Sequence, residues 1–407
     1  MPKSFPVFIS SRIQLRNGGS FSSLIAGIAT GSVAVGVAVF LVSMLIFNGF
    51  KTVIQNKIFS NAAHIQVIKY DLNNSYEETP ISLNSNFYQK ATSLPNISQI
   101  RPYAHKSALM KAEDEVMGVV LKGVNQAFDT LKFSEYLSEG RFIQFSDSTH
   151  SSQIIVSKLA AKKLKLQIGQ DIILYFIQNP PRARKLTIVG IYETELEEFD
   201  NLIVIGDLKL VQRLNDWDDD QVGGYELIVN NLEKLEETAN MLEEELDFDL
   251  TYRLITEKYA QYFEWFMMLN KNMIIFLTII LFVALFNVMS VMLILIMERT
   301  SMIGTLKALG ASNEQIQQLF ILMGFKITLK GLIIGNLLGL GFGVLQDRFK
   351  LIPLDPATYY MRTVPILFNL TEIILINLLI LALVSIILTI PTLIISNIQP
   401  IKAIKFQ

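Results

Sequence analysis

The chain has no cysteine among its 407 residues. Disulfides, thiolate metal sites and cysteine nucleophiles are excluded, so any part outside a membrane must be held by its core alone. A domain of roughly 200 residues can manage that. Only three histidines are present, His64, His105 and His150. They are far apart and show no H-E-x-x-H or other metal spacing, so they read as strand or loop surface residues. Neither G-x-x-x-x-G-K-[ST] nor G-x-S-x-G occurs. The chain therefore cradles no nucleotide by a P-loop and has no nucleophile elbow. There is no low-complexity tract or short-period repeat. A basic face is also missing from the largest polar stretch. Residues 51–266 carry about ten more acidic than basic side chains, and the rest of the chain is basic by about eight. That argues against nucleic acid as the partner of this stretch. No catalytic constellation, cofactor or metal site is expected.

What the chain has in quantity is apolar sequence. It is 51% hydrophobic with a mean hydropathy of +0.39. That is too apolar for an ordinary soluble protein and too polar for a chain lying wholly in lipid. Four runs are long enough to cross a hydrocarbon core of about 30 Å. The expected spans are residues 24–50, 273–297, 319–345 and 373–395. The first is too long for the apolar region of a signal peptide and lacks a cleavage site. Lys3, Arg12 and Arg16, Arg299 and Lys307, and Lys402 and Lys405 all fall on one side of four spans. By the positive-inside rule that side is cytoplasmic. Arg348, Lys350 and Arg362 in the outer loop 346–372 run against it. The expected layout is then a cytoplasmic segment 1–23, an outer domain 51–272, a cytoplasmic loop 298–318 and a tail 396–407.

The spans are rich in small residues. Gly27 and Gly31 are four apart, as are Gly331, Gly335 and Gly339. Small residues let helices approach closely in lipid, either within one chain or at a dimer seam. Lys326 and Lys330 share one helix face in the cytoplasmic half of the third span and can snorkel to the interface. Few other polar groups stand in the spans beyond Asn287, Ser290 and Asn336.

The outer segment has mixed periodicity. The first span runs on as a polar helix to about Phe59, and Ile255 to Trp265 also reads as helix, so the two would form a stalk. Between them, Ala63–Ile68, Ser107–Met110 and Val116–Val124 look extended. Asn86–Ser93 and Leu232–Leu246 read as helices. A strand-rich block covers Gln153–Val204, with a hairpin turning at Asn179-Pro180-Pro181. The expected class is a membrane protein of four transmembrane α-helices with a large α+β extracytoplasmic domain, porter-like, and a β-rich inserted subdomain at about 125–215. The carboxylates Glu193, Glu195, Glu197, Glu198 and Asp200, and the run Asp216–Asp220, read as solvated loops. They lack the alternation and turn glycine of a calcium loop.

The cytoplasmic loop is more distinctive. Met302, Ile303, Leu306 and Leu309 form an apolar stripe on a short helix, Gly310 stops it, and Ser312 with Gln315 makes a capping box for the next helix. Such a helix lies on the membrane surface or plugs into a partner's groove.

Glu298-Arg-Thr-Ser-Met-Ile-Gly-Thr-Leu-Lys-Ala-Leu-Gly-Ala-Ser312 resembles the E-x-x-x-x-I-x-x-L-[KR]-A-x-G-A-[ST] pattern of FtsX/MacB-type ABC transporter permeases. The resemblance runs along nearly the whole chain. Phe8 to Arg12 and Asn48-Gly49-Phe50 are similar to the lipoprotein-releasing LolC/LolE branch. So are His64-Ile-Gln-Val67, Lys122-Gly123-Val124, Gly140-Arg141, Ile154–Leu159, Gly169-Gln170-Asp171, Gly190-Ile-Tyr-Glu-Thr194, Asn287 and Gln399-Pro-Ile-Lys-Ala403. Glu195 stands where the family often has glycine. The loop Gln178–Lys185 occupies the place of a chaperone-binding hook but is shorter.

The resemblance implies a non-catalytic permease subunit in a bacterial inner membrane, with its large domain in the periplasm. A separate LolD-like ATPase would dock on a coupling segment containing Glu298, Arg299, Met302, Ile303, Leu306, Lys307, Leu309 and Gly310. ATP hydrolysis would then drive extraction of lipoproteins by mechanotransmission. Other implied partners are a second permease copy or paralogue, membrane lipid and a periplasmic carrier. Phe40, Met44, Phe47 and Phe50 are candidates to line a substrate or dimer seam. The competing expectations are MacB-like efflux and an FtsX-like scaffold that regulates cell-wall hydrolases.

Overall fold

The computed structural model describes residues 21–71, 77–112, 115–146 and 149–397. The expectations placed on Lys3, Phe8 to Arg12, Arg16 and the tail from Gln399 lie outside them. In chain order the elements are α1 (Phe21–Asn61), β1 (Ile65–Lys69), β2 (Ile81–Ser82), α2 (Asn86–Lys90), β3 (Ile97–Ala112), β4 (Glu115–Val124), α3 (Thr130–Ser134), β5 (Leu137–Gly140) and β6 (Gln153–Ser157). Then come α4 (Lys158–Lys163), β7 (Asp171–Phe176), β8 (Arg182–Tyr192), α5 (Glu197–Asp200), β9 (Ile203–Asp207), α6 (Leu208–Leu214), β10 (Gln221–Val222), β11 (Gly224–Val229), α7 (Leu235–Glu245), β12 (Leu250–Leu254) and α8 (Ile255–Lys258). The rest is helical: α9 (Ala260–Glu298), α10 (Thr300–Ala308), α11 (Asn313–Phe349), α12 (Pro356–Tyr359), α13 (Leu370–Ile387) and α14 (Thr389–Thr392).

The chain divides into two compact units. One comprises the described residues up to Thr52, Phe266–Pro353 and the described residues from Thr363 on. It holds the apolar parts of four helices long enough to cross a membrane. α1 and α9 have 41 and 39 residues. At 1.5 Å per residue each is about 60 Å long, twice the hydrocarbon thickness, so each continues as helix well past its apolar part. The unit's core is a stripe of Val33, Val37, Leu41, Met44 and Leu45 on α1, packed with Met292 and Ile296 of α9, Phe320 and Met323 of α11, and Val384 of α13.

Glycines set the closest packing. A Cβ at Gly335 would stand 2.7 Å from the Ala34 carbonyl oxygen, and one at Gly331 2.7 Å from Val33 Cβ. Gly339 and Gly343 face Leu41 and Leu45 in the same way. The third-span glycine stripe is therefore the seat of α1. Gly27 and Gly31 differ, with nothing within 4 Å among the described residues.

Polar groups in this unit pair with one another. Asn287 Nδ2 donates to Ser32 Oγ. Asn336 and Asn377 exchange amide hydrogen bonds of 2.6 and 3.0 Å between α11 and α13. Asn377 was not among the polar residues the apolar runs drew attention to, because its Leu and Ile neighbours masked it. Asn48 Nδ2 donates to Glu372 Oε2 at 2.6 Å, and a Cβ at Gly49 would lie 2.5 Å from the Pro365 carbonyl oxygen. These contacts account for Asn48-Gly49 at the outer end of the first span.

The second unit comprises Val53–Trp265 and Leu354–Arg362. Strands β12, β1, β11 and the first half of β3 form an open antiparallel sheet. β3 is 16 residues long, and its second half enters a closed ring. The ring order is β3-β4-β9-β6-β8-β7 and back to β3, with β4–β9 and β6–β8 parallel. The strand-rich block therefore borrows β3 and β4, which lie before residue 125, and shares one apolar core with the open sheet. It is less a separate insert than the sequence spacing suggests, because one long strand serves both sheets. A Cβ at Gly123 would meet Leu208 Cα at 2.9 Å, so this residue lets α6 lie directly on β4. The helix expected over Leu232–Leu246 opens with a 3-10 turn and buries Leu235, Ala239 and Leu242.

The hairpin strand β8 starts at Arg182, so the turn after β7 is confined to Ile177–Pro181. Residues 182–185 of the loop proposed to replace a hook are paired with β7. Two further expectations are corrected. His64 and His105 are buried, not on the surface, because each sits beneath neighbouring chain and is hydrogen bonded there. The carboxylates from Glu193 to Asp200 are not all solvated, because several of them hold the chain together.

Candidate coupling site

The loop between α9 and α11 is an ordered structure. Arg299 breaks the helix for one residue, and α10 restarts at Thr300. α10 ends in a Schellman motif: Ala311 N–H donates to Leu306 O and Gly310 N–H to Lys307 O, both at 3.0 Å, with Gly310 at φ +91°. The next helix opens on the capping box. Gln315 N–H donates to Ser312 Oγ and Ser312 N–H to Gln315 Oε1.

The structure does not bring the eight expected coupling residues onto one exposed face. Ile303 is fully buried, and Met302 and Leu306 pack half-buried on the bundle core. Lys307 Nζ donates to the Ile395 carbonyl at 2.6 Å, so its charge is turned toward the end of the last span. Partial burial pushes the Lys307 pKa down. Gln317 Nε2 reaches the Thr392 carbonyl and reinforces the same attachment. Arg299 is half-buried. What remains exposed is Glu298, Leu309 and Gly310. Ser301, Thr305 and Ala308 are exposed beside them. Spacing alone missed these three because the apolar stripe, not its complement, drew attention. That stripe faces inward and anchors α10.

The seam candidates also divide. Met44 is buried in the bundle core and cannot line a seam between copies. Phe40 edges an apolar crevice of about 20 Å³ with residues of α1, α9 and α13, which is too small for an acyl chain. Phe47 and Phe50 are half-buried.

In the outer unit a charged cluster joins three distant stretches of chain. Glu195 Oε2 lies 2.6 Å from Lys57 Nζ of α1, and Glu195 Oε1 lies 2.7 Å from Arg362 Nε. Arg362 Nη2 also meets Glu193 Oε2 at 2.7 Å, which Lys158 shares at 2.9 Å. Lys57 further donates to the Tyr360 carbonyl at 2.6 Å. Glu193 and Glu195, beside it, raise the Arg362 pKa. Burial works against the Glu193 carboxylate, but Lys158 and Arg362 outweigh it and hold its pKa down.

Glu195 adopts φ +62°, where glycine is the usual choice. Asp200 holds it there by accepting from Thr194 N–H, Thr194 Oγ–H and Glu195 N–H. This is why a glycine would suit the position, and the ion pairs give a reason for a glutamate.

Two family profiles match the chain. Residues 26–245, more than half of it, match the MacB-like periplasmic core domain, and residues 274–400 match the FtsX-like permease C-terminal domain. The chain belongs to the FtsX/MacB-type ABC transporter permeases. The permease is 24% identical to the lipoprotein-releasing system transmembrane protein LolC of Neisseria meningitidis, over 97% of both chains. It is 25% identical to the lipoprotein-releasing system transmembrane protein LolE of Haemophilus influenzae, over 82% of this chain and 81% of that one. The periplasmic region of MacB from Actinobacillus actinomycetemcomitans aligns with 49% of the permease and 92% of its own length, at 11% identity and a TM-score of 0.35. The permease is a multi-pass inner-membrane protein, and its large domain between the first two spans is periplasmic.

Proposed function

We propose that this permease is the membrane subunit of a lipoprotein-releasing ABC system, driven by an ATPase on a separate chain. The observation that carries this reading is the match to LolC over 97% of both chains, with no large part of either left over. The ATPase docks on the exposed side of the coupling segment, where Leu309 projects beside Glu298, Ser301, Thr305 and Ala308. The anchored side, from Ile303 through Lys307 to Ile395, carries the resulting force into α9, α11 and the last span. Work is then done on a lipidated protein at the outer leaflet without a polar channel. The permease acts with a second copy or a paralogue, and a periplasmic carrier accepts the product.

Two measurements test this. Depletion should leave lipoproteins in the inner membrane; normal lipoprotein sorting with lost export or drug resistance would instead favour MacB-like efflux. Capture of cell-wall hydrolases by the outer domain would favour the FtsX-like scaffold. At the coupling site, Leu309→Asp should abolish co-purification of the ATPase and its stimulation by the permease. Leu309 is 67% exposed, so the fold should survive. Normal ATPase binding and stimulation by that variant would remove the docking assignment.

A further inference from the structure

The periplasmic domain contains a cavity of about 500 Å³. Its floor is the face of the open sheet that points away from the apolar core. There Gln66 of β1, Glu226 of β11 and Lys122 of β4 are all buried. Register sets Arg253 of β12 directly beside Gln66, and Gln66 directly beside Glu226. A sheet face left to water needs no partners for such groups, but buried charge does.

Most of the charges around the cavity are matched. Lys122 Nζ donates to Glu226 Oε1 at 2.6 Å, and His105 Nδ1 lies 2.5 Å from Glu78 Oε1. Glu77 pairs with Lys106 at 2.9 Å. Asp71 accepts from the Thr79 hydroxyl, and Glu198 accepts from Gln261.

Two cations remain. Lys258, the last residue of α8, donates to the neutral Gln66 Oε1 at 3.0 Å and makes no ion pair among the described residues. The Arg253 side chain makes neither a hydrogen bond nor an ion pair among them, while its backbone is paired with Gln66 in the sheet. An ammonium carries three N–H donors and a guanidinium five, so most of the donors of this pair face the cavity's solvent.

We propose that the cavity binds a phosphate group, free or on a small ester or lipid headgroup, held by Lys258 and Arg253 and oriented by Gln66. A phosphate monoester carries roughly −1.5 to −2 charge near neutral pH, which matches two cations. The arginine fork suits its oxygens and the lysine supplies a point charge. The volume exceeds that of phosphate alone and leaves room for a glycerol-sized substituent. The charge balance of the site agrees. Burial first, and then Lys122, lower the Lys258 pKa; Arg253 adds to this, and Glu226 and Glu78 oppose it. A bound anion offsets both leading causes.

The test uses the full chain in maltoside detergent and phosphate-free buffer. Calorimetry or phosphorus NMR is run with inorganic phosphate, sn-glycerol 3-phosphate and dioctanoyl phosphatidylglycerol. Saturable binding of at least one probe is expected, weakened tenfold or more by Lys258→Met and by Arg253→Met and kept by Lys258→Arg. Binding of the two soluble probes assigns a free anion or ester, and binding of the short-chain lipid alone assigns a headgroup. Thermal midpoints equal to wild type separate lost binding from lost fold. If none of the three probes binds saturably, or if both methionine variants bind as wild type does, the site is not one for phosphate.

Discussion

His64 stands just before β1, with its ring edge-on against Phe59 at 4.4 Å between centroids. Its Nδ1 accepts the Val229 N–H at 2.8 Å, which places the ring proton on Nε2 and leaves no room for the charged form. Burial first, and then Lys132 and Arg101, push its pKa from 6.5 down to about 4. The unfolded chain takes up this proton near pH 6.5 and the folded chain only near pH 4. The stabilisation is therefore complete above pH 6.5 and is lost as pH falls toward 4, by about 3 kcal/mol over that window. His64→Gln keeps an acceptor for Val229 and removes the titration. The melting temperature of wild type should fall more steeply than that of the variant between pH 6.5 and 4; parallel curves would mean that His64 does not titrate as its burial requires. A lone histidine in a polar-apolar alternation carries no sign of this in the sequence, because the N–H that fixes its ring belongs to Val229 of β11, 165 residues away. Glu195 is a similar case. Its misfit with glycine was legible, but its partners Lys57 and Arg362 are 138 and 167 residues away.

At the scale of elements, what lipid demands was easiest to read. Unbroken apolar runs marked four helices, and the helix expected to lead α1 on to about Phe59 is present, whereas the one expected over Ile255–Trp265 is interrupted at Tyr259, between α8 and α9. Gly310 and the Ser312–Gln315 box marked both ends of the turn after α10, since capping is local chemistry. The two glycine stripes looked alike in sequence, yet among the described residues only that of the third span is packed on a neighbouring helix, because which face meets a neighbour is decided by tertiary packing. On this basis Gly335→Leu and Gly27→Leu should separate. At Gly335 even a Cβ would press on the Ala34 carbonyl, so α1 must move off α11. Overpacking of this kind costs about 1–3 kcal/mol or more. At Gly27 nothing among the described residues stands within 4 Å. Thermal unfolding of the single chain in detergent should drop for Gly335→Leu and stay near wild type for Gly27→Leu. Equal loss in both would mean that the outward stripe is also packed within the chain. Of the closed ring of six strands only the β7–β8 hairpin was legible, since the parallel pairs β4–β9 and β6–β8 join strands far apart in sequence.

For the molecule as a whole, the mechanical reading rests on spans that act as packed levers rather than as walls of a pore. The absence of cysteine makes this directly accessible, since any engineered pair reports without background. A Cβ at Gly36 of α1 would lie 3.5 Å from Ala284 Cβ of α9, at the short end of the separation that disulfides span. The Gly36→Cys, Ala284→Cys double variant should therefore cross-link under mild oxidation, and the product should run as a single chain whose two halves stay joined after cleavage in the periplasmic domain. Dimer-sized product instead would place α9 of one copy against α1 of another and overturn the packing of the bundle. α1 and α9 are each one unbroken helix through their apolar parts, so a bond between them at residue 36 ties two rods at one point and leaves their rotation as a pair free. The ATPase docking proposed for α10 should accordingly persist in the cross-linked protein. Lipoprotein release should persist too if α1 and α9 swing together, and should stop while ATP hydrolysis continues if release needs them to slide past one another. The hydrogen bond from Asn287 of α9 to Ser32 of α1, one turn from the close approach of Gly36 to Ala284, favours the common swing, because sliding would break it.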